Sequence, residues 1–337
     1  MERKFKVALI GCGVISDNHL TALTSMDSVE IVAIADIDPS KPLSKIEKYS
    51  LTCRIYTDYI EMLDKEMPDA VHVLTPHYLH TEMTLEALAR DINVFLEKPL
   101  CIKREDIDKI INAEMNSKAK VCVSFQTRYN ETVKLAKKIA DEDGGVKRAY
   151  ATVIWNRNDL YYAQGEWRGK WATEGGGVMI NQAIHTLDLL CIFLGIPTNV
   201  QAKHSKLRHS DAIEVEDSCE CLIGYTKGKS AVVYATTNFQ GYDSTALHLE
   251  TANHIIEIRE PYIYLDGQMI ETKQSSDYIG KKCYGSGHAM LIEDFYNSLA
   301  DDKESPIPPI SAQHAVKIIL AAYESNGELK FVQIRKA

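Results

Sequence analysis

Glycines at positions 11 and 13 follow a short apolar run, Val7 to Ile10, and helical periodicity begins directly after them. A strand that turns sharply into a helix can bring its backbone against a pyrophosphate only where side chains are absent, and the helix N-terminus adds N–H donors and partial positive charge. Ser16 occupies the third position of the G-x-G-x-x-G pattern as a small residue. The spacing predicts a dinucleotide-binding loop whose contacts are Gly11, Gly13, Val14 and Ile15.

Asp36 ends a second apolar run, Glu30 to Ala35. An acidic residue at this point binds the hydroxyls of an adenosine ribose and repels a 2′-phosphate. Ile37 and Asp38 supply no arginine for such a phosphate, so the sequence favours NAD over NADP. A turn residue after a strand is the alternative, and the upstream glycines favour the ribose role.

Glu97-Lys98-Pro99 closes the fifth predicted strand. The carboxyl ends of parallel strands are where open α/β sheets present ligands, and Pro99 restricts Lys98 to an extended backbone. Lys98 is therefore predicted to point at the ligand. The alternative is a surface lysine, which is the usual position of this residue type.

Asn181, His185 and Asp188 stand at i, i+4 and i+7 in a predicted helix over residues 178–193. That spacing puts them on one helix face among apolar neighbours. Gly175 to Gly177 permit close backbone approach before the helix. The stripe faces either a cleft or solvent, and the sequence alone leaves both interpretations open.

Strands and helices alternate along residues 1–124, which predicts a parallel, doubly wound α/β sheet. Residues 125–337 contain several long strand-like runs, with one helix before them and two after. We therefore expect a dinucleotide-binding Rossmann domain over 1–124. An α+β domain with an open, mainly antiparallel sheet is expected over 125–337 and should bind the substrate.

The 337 residues are 45% hydrophobic and carry a net charge of −9 without a basic patch, which argues against nucleic acid or an anionic membrane as a partner. No apolar run approaches the ~20 residues of a membrane span, and the N-terminus becomes a strand too early for a signal peptide. The eight cysteines are scattered and lack C-x-x-C spacing. We expect a cytoplasmic protein with reduced thiols and no metal site.

The glycine loop, the strand-end EKP, the GGG…H-x-x-D segment and the late GHAMLIEDFYNSL segment together resemble the Gfo/Idh/MocA oxidoreductases. The resemblance covers nearly the whole chain. It implies an N-terminal Rossmann domain and a C-terminal α+β domain whose open sheet forms the oligomer interface, hence a homodimer or homotetramer.

By this resemblance Lys98 lies beside the nicotinamide and the reacting oxygen, His185 is the general acid/base, and Asp188 completes the H-x-x-D match. His77 replaces the asparagine that is usual in the family. The implied cofactor contacts further along the chain are Thr75, Pro76, His77, His80, Glu97, Lys98, Arg128, Trp167 and Arg168. The implied substrate contacts are Lys98, Arg128, Tyr129, Asn181 and His185, with Tyr161 as an alternative aromatic platform to Tyr129.

Asn181 stands where many members carry an aspartate beside the lysine and histidine. An amide orients a hydroxyl but accepts no proton, so the acid/base role passes to His185, whose ordinary pKa of ~6.5 suits neutral pH.

The resemblance implies hydride transfer between NAD and a secondary alcohol of a sugar, inositol or nucleotide sugar. Two alternatives are a non-catalytic NAD-binding regulator and an NAD-using glycosidase relative. The glycosidase needs further bases or a metal, for which His204 and His209 are weak candidates.

Overall fold

The computed structural model describes residues 4–207, 212–241, 244–272, 287–325 and 327–331. The chain folds into two compact units, each of which gathers segments from different parts of the sequence. The first contains Met1–Cys101, Glu105–Gln126 and Gly287–Ala312, and the second contains Ile102–Arg104, Thr127–Ser286 and Gln313–Ala337.

A six-stranded parallel sheet of order β3-β2-β1-β4-β5-β6 forms the first unit. The interior strands β1, β4 and β5 are almost entirely buried, as expected where helices cover both faces of a parallel sheet. The strands and helices along the chain are β1 Phe5–Ile10, α1 Ser16–Thr24, β2 Val29–Ala35, α2 Ser40–Tyr49, β3 Arg54–Tyr56, α3 Tyr59–Glu66, β4 Ala70–Val73, α4 His80–Leu88, β5 Asn93–Leu96, α5 Arg104–Met115 and β6 Val121–Val123.

The second unit is built on a sheet of nine described strands, β14-β13-β12-β11-β7-β10-β9-β8-β15. Its pairs are antiparallel except β7 with β10, and residues along β9 and β10 alternate between buried and exposed. Its elements are α6 Glu131–Glu142, β7 Arg148–Ile154, α7 Asp159–Ala163, α8 Val178–Asn181, α9 Ile184–Leu194, β8 Pro197–Ser205, β9 Ser218–Tyr225, β10 Ser230–Thr236, β11 Ser244–Glu250, β12 Ile255–Arg259, β13 Tyr262–Leu265, β14 Gln268–Ile270 and β15 Leu329–Phe331. The predicted fold class, a doubly wound parallel sheet and a mainly antiparallel one, is confirmed.

Two late helices, α10 Gly287–Ala300 and α11 Pro309–Ser325, lie between β14 and β15 in the chain. The first unit includes α10, which packs against α1 with Leu291, Ile292 and Phe295 buried. The predicted division at residue 124 assigns α10 to the second domain. The structure instead makes the first unit discontinuous, because the apolar face of α10 is buried against α1.

No helix in the described part of the chain is both long and apolar enough to cross a membrane.

Candidate functional site

The loop after β1 leaves its backbone open to a ligand. Gly11 has φ +98°, and a Cβ there would lie 2.7 Å from the carbonyl oxygen of Leu74, so glycine is required. A Cβ on Gly13 would meet nothing within 4 Å, and Val14 beside it is 87% exposed. Ser16 begins α1 and donates from Oγ to the Gly13 carbonyl at 2.7 Å. The open cradle over Gly13, which a side chain would fill, fits a pyrophosphate at a helix N-terminus.

Asp36 joins the end of β2 to the glycine loop. Its carboxylate accepts the N–H of Cys12 at 2.8 Å and that of Asp38 at 3.0 Å. Lys41, which the sequence reasoning did not consider, places Nζ 3.5 Å from the same carboxylate. A carboxylate oriented by two backbone donors fits the ribose hydroxyls of NAD, and its charge opposes a 2′-phosphate.

A turn after β4 contains the predicted contacts Thr75, Pro76, His77 and His80. His77 and His80 are buried. The His80 ring contacts the Thr75 carbonyl through Nε2 at 3.0 Å and the Pro99 carbonyl through Nδ1 at 2.7 Å, and burial lowers its pKa. His80 therefore fixes this turn to the segment after β5. A contact of the turn with the nicotinamide ribose stays a prediction.

The three residues after β5, Glu97, Lys98 and Pro99, differ in how deeply they are buried. Glu97 and Pro99 are buried, and Lys98 between them is half-buried. The Glu97 carboxylate lies 3.0 Å from Nε2 of His19 and 3.6 Å from Nε2 of His288. Glu97, predicted as a cofactor contact, thus has interior partners. The sequence reasoning missed both histidines, although His19 immediately precedes the core residue Leu20 in α1.

The helix predicted over residues 178–193 is in fact two helices. α8 ends at Asn181 and α9 begins at Ile184. The N–H of Ala183 bonds to the Val178 carbonyl at 2.8 Å, a five-residue span that interrupts helical hydrogen bonding. The expectation that one helix face carries all three polar residues is therefore wrong. Asn181 belongs to α8, whereas His185 and Asp188 lie on α9.

Asp188 holds Arg128 in the second unit. It is 1% exposed and accepts Nε of Arg128 at 2.7 Å and Nη2 at 2.5 Å. Burial raises the pKa of Asp188, and the guanidinium opposes that rise. His185, one turn earlier, is half-buried. Tyr129, beside Arg128 in the chain, has its ring 5.7 Å from Nζ of Lys134.

Asn181 lies against a buried carboxylate that the sequence reasoning did not identify. Its amide nitrogen donates to Glu174, which is 1% exposed, and to the Tyr161 hydroxyl at 3.3 Å. The N–H of Gly169 also donates to Glu174. The second unit therefore keeps a carboxylate next to position 181, seven residues earlier in the chain.

Arg168 and Trp167 also contact each other, and Arg168 contacts Tyr161. The Arg168 guanidinium lies 4.5 Å from the Tyr161 ring and 4.8 Å from the Trp167 ring, and it donates to the Tyr161 hydroxyl. Arg157 lies over the same tyrosine at 5.0 Å. Tyr161 thus links the predicted W-R pair to Asn181.

Residues Gly175 to Gly177 pack closely against other parts of the second unit. A Cβ on Gly177 would lie 1.8 Å from the Glu216 carbonyl oxygen, and one on Gly176 would lie 1.9 Å from the Tyr323 hydroxyl. The Glu216 side chain accepts the N–H of Gly177 at 2.8 Å, the N–H of Met179 at 3.0 Å and the Tyr323 hydroxyl at 2.9 Å. Burial raises the pKa of Glu216 to about 7 against the effect of these donors. The close approach that the glycines permit is therefore to Glu216 and Tyr323.

One group of metal-ligand residue types comes together in the described residues, although the sequence predicts no metal. Donor atoms of His19, Glu97 and His288 lie within 4.8 Å of one another. His204 instead contacts the rings of Trp171 and Tyr323. The described cysteines are free thiols, and His209 and Cys283 lie outside the described residues.

Comparison with known proteins agrees with this geometry. Residues 5–125 match the oxidoreductase family with an NAD-binding Rossmann fold, and residues 133–253 match the Gfo/Idh/MocA C-terminal domain. Inositol 2-dehydrogenase of Burkholderia ambifaria (strain MC40-6) is 30% identical over 243 residues, 71% of this chain and 69% of that protein.

Two solved structures are similar over nearly the whole chain. The WlbA dehydrogenase of Bordetella pertussis, in complex with NADH and UDP-GlcNAcA, has a TM-score of 0.88 at 25% identity and covers 99% of both chains. Levoglucosan dehydrogenase, in complex with NADH and levoglucosan, has a TM-score of 0.89 at 19% identity, covers 98% of this chain and 100% of its own, and supports the fold.

A Rossmann unit with an open glycine loop and a ribose-type aspartate, followed by an α+β unit, defines a nicotinamide-dinucleotide oxidoreductase. The chain belongs to the Gfo/Idh/MocA family. It is an NAD-dependent dehydrogenase that acts on CH–OH groups.

Proposed function

We propose that the chain oxidises, reversibly, one secondary hydroxyl of a sugar, an inositol or a nucleotide sugar. The observation that carries the proposal is Lys98, a half-buried cation at the carboxyl end of β5 between two buried neighbours, in the unit that also carries the glycine loop and Asp36. The relatives support the substrate class, because inositol, UDP-GlcNAcA and levoglucosan are all polyhydroxylated rings.

In the proposed reaction His185 accepts the hydroxyl proton while the carbon gives up its hydride. Lys98 stabilises the negative charge that develops on the oxygen. NAD⁺, held at the Gly13 cradle and Asp36, supplies the hydride acceptor. We assign Asn181 to orient the substrate, because its amide is held in one direction by the bonds that its nitrogen donates to Glu174 and Tyr161.

The test follows NADH absorbance with NAD⁺ and a panel of sugars, inositols and UDP-sugars. Wild type is compared with Lys98→Met and His185→Ala. Loss of a donor to a developing oxyanion costs on the order of 10²-fold in turnover, so Lys98→Met should bind NADH normally and turn over at least that much more slowly.

Equal turnover in Lys98→Met would refute the lysine's role. NADH binding without turnover on the whole panel would instead favour a non-catalytic NAD-binding protein.

We also propose that the chain forms a homodimer or homotetramer through the open face of the nine-stranded sheet. Val232 pairs with Tyr150 on one side and Leu222 on the other, so the three side chains share a face. They are 54%, 52% and 46% exposed, a continuous apolar surface of the kind that marks interfaces. Light scattering should give a dimer or tetramer mass, and Val232→Asp should lower that mass, while Glu142→Gln on α6 should not.

A further inference from the structure

A line of hydrogen-bonded side chains crosses the interior of the first unit. The Tyr296 hydroxyl lies 2.8 Å from Nε2 of His72, and Nδ1 of His72 lies 2.8 Å from Nδ1 of His19. Nε2 of His19 then lies 3.0 Å from the Glu97 carboxylate. All four residues are at most 6% exposed. The line ends one residue before Lys98.

The protons along this line can be assigned from the carboxylate backwards. Burial opposes ionisation of Glu97, yet the hydrogen bond from His19, with the His288 imidazole 3.6 Å away, holds its pKa well below its usual range. Glu97 therefore accepts from Nε2–H of His19. Burial lowers the pKa of His19, so its ring is neutral and its Nδ1 accepts from Nδ1–H of His72. Nε2 of His72 in turn accepts from the Tyr296 hydroxyl. Each of the three hydrogen bonds in the line therefore has one donor and one acceptor.

The line connects the two parts of the dinucleotide unit on which the proposed function depends. His19 is on α1, whose N-terminus adjoins the Gly13 cradle, and Glu97 directly follows β5. On the other side of Lys98, the Pro99 carbonyl is held by His80. The backbone on both sides of Lys98 is thus fixed by buried imidazoles.

We propose that Glu97 and His19 are positioning residues for Lys98, fixing the backbone from which its side chain extends and linking it to the helix that opens the cofactor site. The inference rests on the proposed function, since it assigns a role to residues behind the same lysine. It predicts a loss of turnover with little change in NAD binding.

His19, Glu97 and His288 could instead hold a divalent metal, since their donor atoms lie within 4.8 Å of one another. The direct contact favours the hydrogen-bonded arrangement, because 3.0 Å is the length of an ordinary N–H···O bond and the proton assignment satisfies the His19 and His72 rings without an ion. A metal is therefore an outcome that the test must be able to detect.

The kinetic experiment uses the full chain with His19→Met, which removes the donor, and His19→Gln, which keeps an N–H near the position of Nε2. Misplacing a catalytic group by about 1 Å can cost 10²-fold, so His19→Met should lower kcat on that order with the KM for NAD nearly unchanged. His19→Gln should recover most of the rate. Leu63→Ala, a buried α3 variant away from the line, should lower Tm without this loss of kcat.

Three kinetic outcomes have distinct meanings. Equal kcat in His19→Met and wild type overturns the positioning role, and if Lys98→Met still loses turnover the proposed function stands. The positioning role is also overturned if a rise in the KM for NAD accounts for the whole loss of activity in His19→Met, because His19 would then serve cofactor binding. The positioning role is overturned as well if His19→Gln recovers no rate, because the N–H that donates to Glu97 would then not be the group that turnover depends on.

A second measurement does not depend on finding the substrate. Nitrogen-15 NMR of histidine-labelled protein should show neutral rings with the proton on Nε2 of His19 and on Nδ1 of His72. The opposite tautomers, or a charged His72, would overturn the assignment. Stoichiometric zinc, manganese or iron in the protein purified without chelator would overturn it in favour of a metal site.

Discussion

Removing the charge of Asp188 should destabilise the second unit strongly. Asp188 is 1% exposed and its partner Arg128 is 13% exposed, so both charges are largely out of water and are joined by two charge-assisted hydrogen bonds. Asp188→Asn keeps the shape but leaves the buried guanidinium facing a neutral amide. Such a change costs about 3–5 kcal/mol, which for a unit of roughly 200 residues lowers Tm by about 10 °C.

The assay is urea unfolding followed by tryptophan fluorescence. Trp155, Trp167 and Trp171 are the chain's three tryptophans and all lie in the second unit, so the signal reports on the unit that contains the pair. Glu142→Gln is the matched control, because it removes an equal charge from an exposed pair and should cost under about 1 kcal/mol. A cost below about 1 kcal/mol for Asp188→Asn would refute the argument that this pair is desolvated.

Four other substitutions test the cofactor loop, the glycine segment and the buried Glu216. Asp36→Ser should weaken NAD binding and raise the ratio of NADP to NAD turnover, because Lys41 at 3.5 Å remains to meet a 2′-phosphate; an unchanged ratio of kcat/KM values would contradict this. Gly13→Ala should leave Tm unchanged, while NADH titration should show about tenfold weaker binding, which is about 1.4 kcal/mol. Gly177→Ala should lower Tm, because its Cβ would lie 1.8 Å from the backbone carbonyl oxygen of Glu216. Burial raises the pKa of Glu216 from 4.5 to about 7. The contribution of Glu216 to the free energy of unfolding is therefore fully present below pH 4.5 and is lost as pH rises through 7. Urea titrations should show that wild type, relative to Glu216→Gln, loses about 3 kcal/mol of stability across that range.

The parts of the fold that the sequence predicts are those encoded locally. Gly11 and Gly13 between a strand and a helix specify the loop with no knowledge of the rest of the chain, and alternating apolar runs specify the parallel sheet. The membership of α10 in the first unit is not local, because it depends on a helix almost 270 residues after α1 burying its apolar face there.

The candidate site shows the same limit at the level of side chains. Lys98 could be singled out from its place after a strand, but the inward direction of Glu97 depends on His19, a residue 78 positions earlier. The break between α8 and α9 likewise escapes a periodicity argument. The apolar periodicity continues across the break, so it gives no sign that the helix ends at Asn181. The contact between Asn181 and Glu174, a residue outside the helix, is not encoded in that periodicity.

The contact with Glu174 changes the interpretation of Asn181 as the loss of a carboxylate. If the carboxylate were simply missing, the second unit would have lost a charge, yet a buried carboxylate bonds directly to the Asn181 amide. Because Glu174 is 1% exposed and is also bound by the Gly169 N–H, we assign it to orienting the Asn181 amide in the proposed reaction. An oriented amide gives a fixed acceptor whose protonation does not change with pH, since amides do not titrate in this range. Among the described residues of this unit we therefore assign the acid/base step of the proposed reaction to His185, and we assign Asn181 to orient the hydroxyl from which the proton is taken.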